Sequence, residues 1–433
     1  MSLLGGFAAV LVVTGLRIAP SEEGEVPPEL IHRPSKTPDR VTLTWANDPA
    51  TSMAVTWRTA TSVRKAVAQI AEATDGPEFA KHAREVEGTT ELLKTDLNEA
   101  HFHSVEFTGL APDTLYAYRV GDGWNWSEWN QFRTAKQGPA PLTFLYGGDA
   151  QNQLWAHWSR VVRAAYSYAP EARFFIHAGD LVNVSIRDQE WGDWFRAAGW
   201  ITRTMAMLPT PGNHEYPRSD SGRGRELTPA WRPHFTLPRN GPPGLEETCY
   251  YLDIHGVRIV SLNSNERQAE QAEWLDKLLA DSRSQWTVLT FHHPIFSAAR
   301  DRDNPELRAL WKPVFDKHRV DLVLTGHDHS YARSNLVSGL NVRTDSGTVY
   351  VVSVMGPKMY KVGREPWMVR AAEDTQLFQV IRIDGDRLSY ESRTPRGVLY
   401  DAFELRKLRG RPNQLIERVP DTRERLREPS DGQ

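Results

Sequence analysis

The chain has 433 residues, with 52 Lys and Arg against 55 Asp and Glu, and a formal net charge of −3. Its 40% hydrophobic and 25% charged content supports a buried core and excludes an intrinsically disordered chain. The balance also lacks the basic footprint of a nucleic-acid binder, so no nucleic acid is expected as a stable partner.

One cysteine, Cys249, permits no internal disulfide and no cysteine-built zinc site. Any metal must therefore be held by His, Asp, Glu or Asn. Cys249 itself, in ETCYYLDI, reads as a buried strand residue.

Residues 1–37 read as a signal-like segment and a linker. The apolar stretch at 2–16 (SLLGGFAAVLVVTGL) is shorter than the ~20 residues a spanning helix needs. It reads as the apolar part of a secretory signal, so export to the periplasm or cell exterior is expected, with no stable membrane span. Residues 19–38 are polar and Pro-rich. From Val41 short alternating strands follow: VTLTW (41–45), MAVTW (53–57), HSVEFTGL (103–110) and TLYAYRV (114–120). Turn clusters such as NDPATS and APDT separate them, which predicts an all-β sandwich over 38–136. Tyr116 and Tyr118 share one strand face and are expected in its core.

Over 140–405 apolar strands alternate with amphipathic helices. LTFLYGGD leads to a helix near 153–166, and FFIHAGD to one near 188–200. MLPTPGNHE follows. VRIVSLNSN leads to a helix near 268–281, WTVLTFHHP to one near 305–318, and VDLVLTGHDH follows. Such alternation predicts an α/β domain. TVYVVSV (348–354) and a hairpin, LFQVIRI and RLSYES, turned at Asp384-Gly385, close it. Residues 406–433 are charged and read as a peripheral or disordered tail.

Five polar motifs each end an apolar strand: Gly148-Asp149, Gly179-Asp180, Gly212-Asn213-His214-Glu215, His292-His293-Pro294 and Gly326-His327-Asp328-His329. Ligands of open α/β sheets bind just outside the carboxyl ends of strands, so the five are expected to converge. Glycine at such ends permits tight turns and close backbone approach. Mixed oxygen and imidazole donors suit Zn, Fe, Mn or Ni.

In this order the motifs resemble the calcineurin-like metallophosphoesterase superfamily. PDRVTLTWANDPATSMAVTWRT with HSVEFTGLAPDTLYAYRVG resembles the fibronectin-III-like domain of purple acid phosphatases, and GHDHSYARS and GTVYVV resemble that group's distal motifs. The resemblance covers about 38–405. It implies an N-terminal fibronectin-III-like sandwich, then an α/β catalytic domain built as a β-sandwich flanked by helices. It further implies two divalent ions (Fe, Mn or Zn). Asp149 and His329 would hold the first, Asn213, His292 and His327 the second, and Asp180 would bridge. His214 matches a non-ligand histidine that contacts the phosphate and protonates the leaving group. Glu215 would orient His214. His293 is expected to point away along its strand and act behind the ligands, and His177 to lie in the core or behind the ligands.

The sequence departs from the pattern at three places. Asn183 stands where purple acid phosphatases place an iron-binding Tyr, so an Fe(III)-tyrosinate centre is not expected. Gln151 stands where the wider superfamily has a His, leaving Gln151 or Asn183 as the fourth ligand of the first metal. Asp301 and Arg302 stand where plant-type enzymes carry a His pair, and Arg300 or Arg302 would hold the phosphate through a guanidinium.

The implied function is hydrolysis of small phosphate esters by metal-activated water, with monoesters first. A phosphodiesterase or nucleotide hydrolase on the same site is the alternative. A surface-binding protein with a degenerate site is the third reading.

Overall fold

The computed structural model describes residues 26–218, 224–339 and 341–427. The apolar stretch at 2–16, on which the export expectation rests, lies outside them. Among the described residues no helix is long and apolar enough to cross a membrane.

After a one-turn helix α1 (Pro28–Ile31), strands β1–β8 run Asp39–Thr44, Met53–Ala60, Val67–Glu72, Arg84–Glu87, Thr89–Lys94, Glu99–Phe107, Leu115–Gly121 and Asn130–Arg133. They form two four-stranded antiparallel sheets, ordered β1-β2-β6-β5 and β4-β3-β7-β8. Alternation places Trp57, Val105, Phe107 and Tyr118 between the sheets, and Tyr116 and Tyr118 are buried as expected. Tyr116 also accepts the Ala111 N–H through its hydroxyl. Half of these strands escape the sequence pattern, because segments such as REVE at 84–87 face solvent along most of their length.

The α/β domain opens with β9 (Leu142–Gly147), α2 (Ser159–Tyr168), β10 (Phe174–Ala178), α3 (Asp188–Ala198) and β11 (Ala206–Thr210). Next come α4 (Trp231–His234), β12 (Tyr250–Ile254), β13 (Val257–Ser261), α5 (Gln268–Ala280), β14 (Trp286–Phe291), α6 (Pro305–His318) and β15 (Leu322–Thr325). The remaining strands are β16 (Tyr331–Ser334), β17 (Val349–Val352), β18 (Met368–Ala372), β19 (Phe378–Asp384), β20 (Arg387–Arg393), β21 (Leu399–Leu408) and β22 (Arg411–Glu417).

Two seven-stranded sheets result, β11-β10-β9-β19-β20-β21-β22 and β12-β13-β14-β15-β17-β16-β18. β9, β10 and β11 are mutually parallel, as are β13, β14, β15 and β17. Parallel strands covered on both faces read as continuous apolar runs, and every residue of β10, β11, β13 and β15 is buried. Helices pack outside: α6 starts at Pro305, suited to a first turn, and turns Leu307, Trp311 and Phe315 inward, with Trp311 edge-on to Phe291 at 5.0 Å.

Two boundaries differ from expectation. The hairpin pairs Asp384 with Arg387, so its turn is Gly385-Asp386, with Gly385 at φ 51°. The segment after Arg406, expected to be a tail, finishes β21 and adds β22 as an edge strand; its charges suit an edge that must not recruit further strands.

The sandwich is joined to the α/β domain by a buried ion cluster. Arg40 and Arg58 of the sandwich reach Asp188 at the start of α3, at 2.6 and 3.1 Å, and Asp39 holds Arg58 at 2.7 Å. Thr56 Oγ1 donates to His234 O and Tyr118 Oη to Arg203 O, and Trp45 meets Phe174 edge-on. One continuous apolar cluster runs from the sandwich interior into the first α/β sheet.

Candidate metal centre

The loops leaving β9, β10, β11, β14 and β15 bring their side chains to one place. Asp149 and Asp180 are buried, as are His292 and His329. Asp149 (φ 53°), Asp180 (52°), His327 (74°) and His329 (45°) all adopt left-handed backbone conformations. Such geometry is uncommon outside glycine and clusters at functional sites. The glycines between them hold the loops close. A Cβ on Gly212 would lie 2.1 Å from Asp180 Oδ1, one on Gly326 2.3 Å from Asp149 Oδ2, and one on Gly179 2.5 Å from His292 Nδ1.

Two donor groups form. In the first, ligand atoms of Asp149, Asp180 and His329 lie within 4.8 Å of one another. His329 Nδ1 donates to Lys358 O at 3.1 Å, so its Nε2 lone pair faces Asp149. Gln151 completes this group: its Nε2 is 3.1 Å from Asp180 Oδ2 and 2.9 Å from His329 Nε2, while Oε1 is buried with no partner.

In the second group, His292 Nδ1 donates to Ala178 O, which turns Nε2 toward three donor atoms. These are Asn213 Oδ1 and His327 Nδ1, both at 3.1 Å, and Asp180 Oδ2 at 3.3 Å. Asp180 thus belongs to both groups.

The electrostatics call for a cation. Burial opposes a charge on His292, yet the Asp180 and Asp149 carboxylates outweigh it and raise the imidazole to about 9. Burial raises Asp149, whereas His292 and His214 overcome burial and hold Asp180 well below the usual range. Burial and then His292 lower His327, and burial and then Lys358 lower His329 to about 3. His327 and His329 are thus held neutral, the form that ligates, whereas His292 carries a proton that a metal ion would have to displace. An orphaned amide oxygen, glycine cradles and mixed carboxylate and imidazole donors together fit a pair of divalent ions.

The surrounding residues correct several expectations. Glu215 does not orient the His214 ring. Its carboxylate accepts the N–H groups of Gly212, Asp180 and Leu181 at 2.8–2.9 Å, tying the β10 and β11 loops together. Burial and Asp180 raise it to about 8.

His214 is instead fixed through Nδ1, which donates to Asn183 O, and its N–H donates to Asp180 Oδ1 at 2.9 Å. Its Nε2 is 3.8 Å from Asp180 Oδ2 with a quarter of the side chain exposed. Asn183 therefore meets the site through its carbonyl, and Glu190 holds its N–H.

His293 does not point away. Its ring lies 4.3 Å from that of His327, its ligand atom joins the His292–His327 group within 4.8 Å, and Nδ1 is bonded to Ser264 Oγ. His177 is core: buried among Trp158, Phe175 and Trp194, with both ring nitrogens unpartnered.

Of the two arginines, Arg302 adjoins the centre, donating to His327 O at 3.2 Å and to Asp328 Oδ1 at 3.3 Å. Arg300 is exposed and bonds Lys361 O through its backbone N–H. Asp328, unassigned from sequence, is fully buried and also accepts the Ala298 N–H at 2.6 Å, anchoring the loop that carries Arg302. A cavity of about 370 Å³ opens against His293, Ser264, Gln268 and Asn304. A larger groove of about 1270 Å³ runs between sandwich and α/β domain and contains none of the donors.

Residues 38–134 match the model of the purple acid phosphatase N-terminal domain, and residues 117–331 that of the calcineurin-like phosphoesterases. The chain thus carries a calcineurin-like phosphoesterase domain behind a purple acid phosphatase N-terminal domain and is purple-acid-phosphatase-like. It is similar to an uncharacterized Mycobacterium tuberculosis protein, 28% identical over 350 residues, covering 71% of this chain and 64% of that protein. The Fe(3+)-Zn(2+) purple acid phosphatase 12 of Arabidopsis thaliana is 24% identical over 360 residues, covering 78% and 73%. In fold the chain is similar to purple acid phosphatase PPD1 from yellow lupin (Lupinus luteus), with a TM-score of 0.72, 16% identity and coverage of 85% and 74%. The chain spans just under two thirds of the mycobacterial relative's length.

Proposed function

We propose that this chain hydrolyses small phosphate esters at a dinuclear metal site, with monoesters as the preferred class. The observation that carries the reading is the pair of donor groups sharing Asp180. Asp149, His329 and the Gln151 amide would hold one ion, Asn213, His292 and His327 the other, and Asp180 would bridge. A divalent pair supplies an acidified water and neutralises phosphoryl charge.

The protein's own contribution is placement. Glu215 and the left-handed loops hold the donors in position. His214, its Nδ1–H held by Asn183 O, presents Nε2 to the phosphate and is placed to give a proton to the leaving oxygen. Arg302 adds positive charge beside His327, and the cavity against His293 gives the leaving group room. We also read the chain as exported, on the apolar stretch at 2–16.

The test is hydrolysis of an aryl phosphate monoester and the matching diester by wild type and Asp180→Asn, with Mn, Zn or Fe(II) supplied. Loss of at least ~10³-fold in the variant is expected. Preference for the diester would move the function to phosphodiesterase. No turnover, with no bound metal, would overturn the enzymatic reading in favour of a binding protein.

A further inference from the structure

A sixth strand end reaches the same site. β17 runs parallel to β15, and the segment leaving it, residues 353–362, is clipped to both sides of the first donor group. Met355 N–H donates to Gly148 O at 2.9 Å and Gly356 N–H to Asp149 O at 3.0 Å. Tyr360 N–H donates to His329 O at 2.9 Å, and Lys358 O accepts from His329 Nδ1. A Cβ on Gly356 would lie 2.2 Å from Asp149 O, so only glycine lets the segment come this near.

This docking delivers Lys358 and Tyr360. The Tyr360 ring packs 4.7 Å from the His329 ring, and the Lys358 ammonium sits 5.4 Å from the same aromatic centroid. The Arg302 guanidinium is 5.0 Å from it. An aromatic face seats a cation without neutralising it. Arg302 is already shared with Asp328 and His327 O, whereas for Lys358 the structure records no ion pair among the described residues. An uncompensated ammonium is thus held beside a metal-ligating loop by backbone anchors on both sides.

We infer that Lys358, seated on Tyr360, is a specificity residue of the site: it takes the second negative charge of a phosphate monoester and so favours monoesters over singly charged diesters. The inference rests on the phosphoesterase reading above. A monoester, whose second pKa is about 6, is largely a dianion at neutral pH. A diester never acquires that charge. A compact ammonium on a flexible stem is suited to meet it.

The test uses the full-length, metal-loaded protein and Lys358→Met, with Lys358→Arg and Tyr360→Leu alongside and metal content measured in each. For Lys358→Met, kcat/KM for an aryl monoester is expected to fall ~10- to 100-fold more than for the matching diester, with most of the ratio regained in Lys358→Arg. Affinity for inorganic phosphate, read by calorimetric titration, should weaken about tenfold. Tyr360→Leu should move both in the same direction by less. Equal losses on both esters, or unchanged phosphate affinity, would overturn the assignment and leave Lys358 a structural role. If wild type turns over neither ester, the phosphoesterase reading fails by itself, and phosphate titration of Lys358→Met still decides whether the lysine binds the anion.

Discussion

Gln151 offers the sharpest test of the first donor group. The side chain is fully buried; Nε2 is bonded to Asp180 and His329, and Oε1 faces no donor. Turning the amide over exchanges the two ends and aims the oxygen at the Asp149–Asp180–His329 group. An unsatisfied buried acceptor costs about 1–3 kcal/mol, and a cation between these residues would relieve that cost. Gln151→Ala should therefore weaken the first site by roughly 5- to 150-fold at about 1.4 kcal/mol per decade. Gln151→His, which supplies an imidazole nitrogen, should bind at least as tightly as wild type. The assay is competition of the apoprotein with a chromophoric chelator for Zn or Mn, with elemental analysis of bound metal. Asn213→Ala serves as the control that weakens the other site. Unchanged affinity and stoichiometry in Gln151→Ala would refute the placement of the amide beside a metal.

Three further outcomes are expected. Asp188→Asn leaves Arg40 and Arg58, each 3% exposed, without their shared carboxylate, and should cost about 3–5 kcal/mol in denaturant unfolding. Burial alone would raise Asp188, but the two arginines outweigh it and hold the carboxyl below its usual range. Its stabilisation is thus fully present above the unfolded pKa of about 3.9 and is lost as pH falls through the lower folded value. Wild type should lose this contribution below about pH 4 whereas Asp188→Asn does not, and identical acid limbs would refute the linkage. The purified, metal-loaded protein should be colourless, because Asn183 offers no phenolate to ferric iron; a visible charge-transfer band would contradict this.

Much of the site was readable because parallel strands are buried on both faces, so a polar residue just past such a run has few packing reasons to be there. Asp149, Asp180, Asn213, His292, His327 and His329 all follow that logic. His293 fails it for a definite reason. β14 ends at Phe291, so the alternation of strand side chains no longer applies one and two residues later. Glu215 was legible as a neighbour of the site but not in its action, since a carboxylate clamping three backbone N–H groups leaves no pattern in sequence. Lys358 was hidden because Gly356-Pro357 reads as turn punctuation, although its position after a buried parallel strand is the same signal that marked the other five motifs. In the sandwich, exposed strands such as β4 and the edge strand β22 carry charges where a core pattern would be sought.

The junction between sandwich and α/β domain bears on how the molecule comes apart. Its core is shared, with Trp45 against Phe174 and Thr202 Oγ1 donating to Val41 O, and its ion cluster has members on both sides. Excising the sandwich would bare that apolar face and strand Asp188 at the head of the helix following the Asp180 loop. The N-terminal sandwich is therefore not a detachable module. Heat or denaturant should remove both domains in one cooperative transition, so the metal-binding loops inherit the stability of a sandwich that supplies none of their donors.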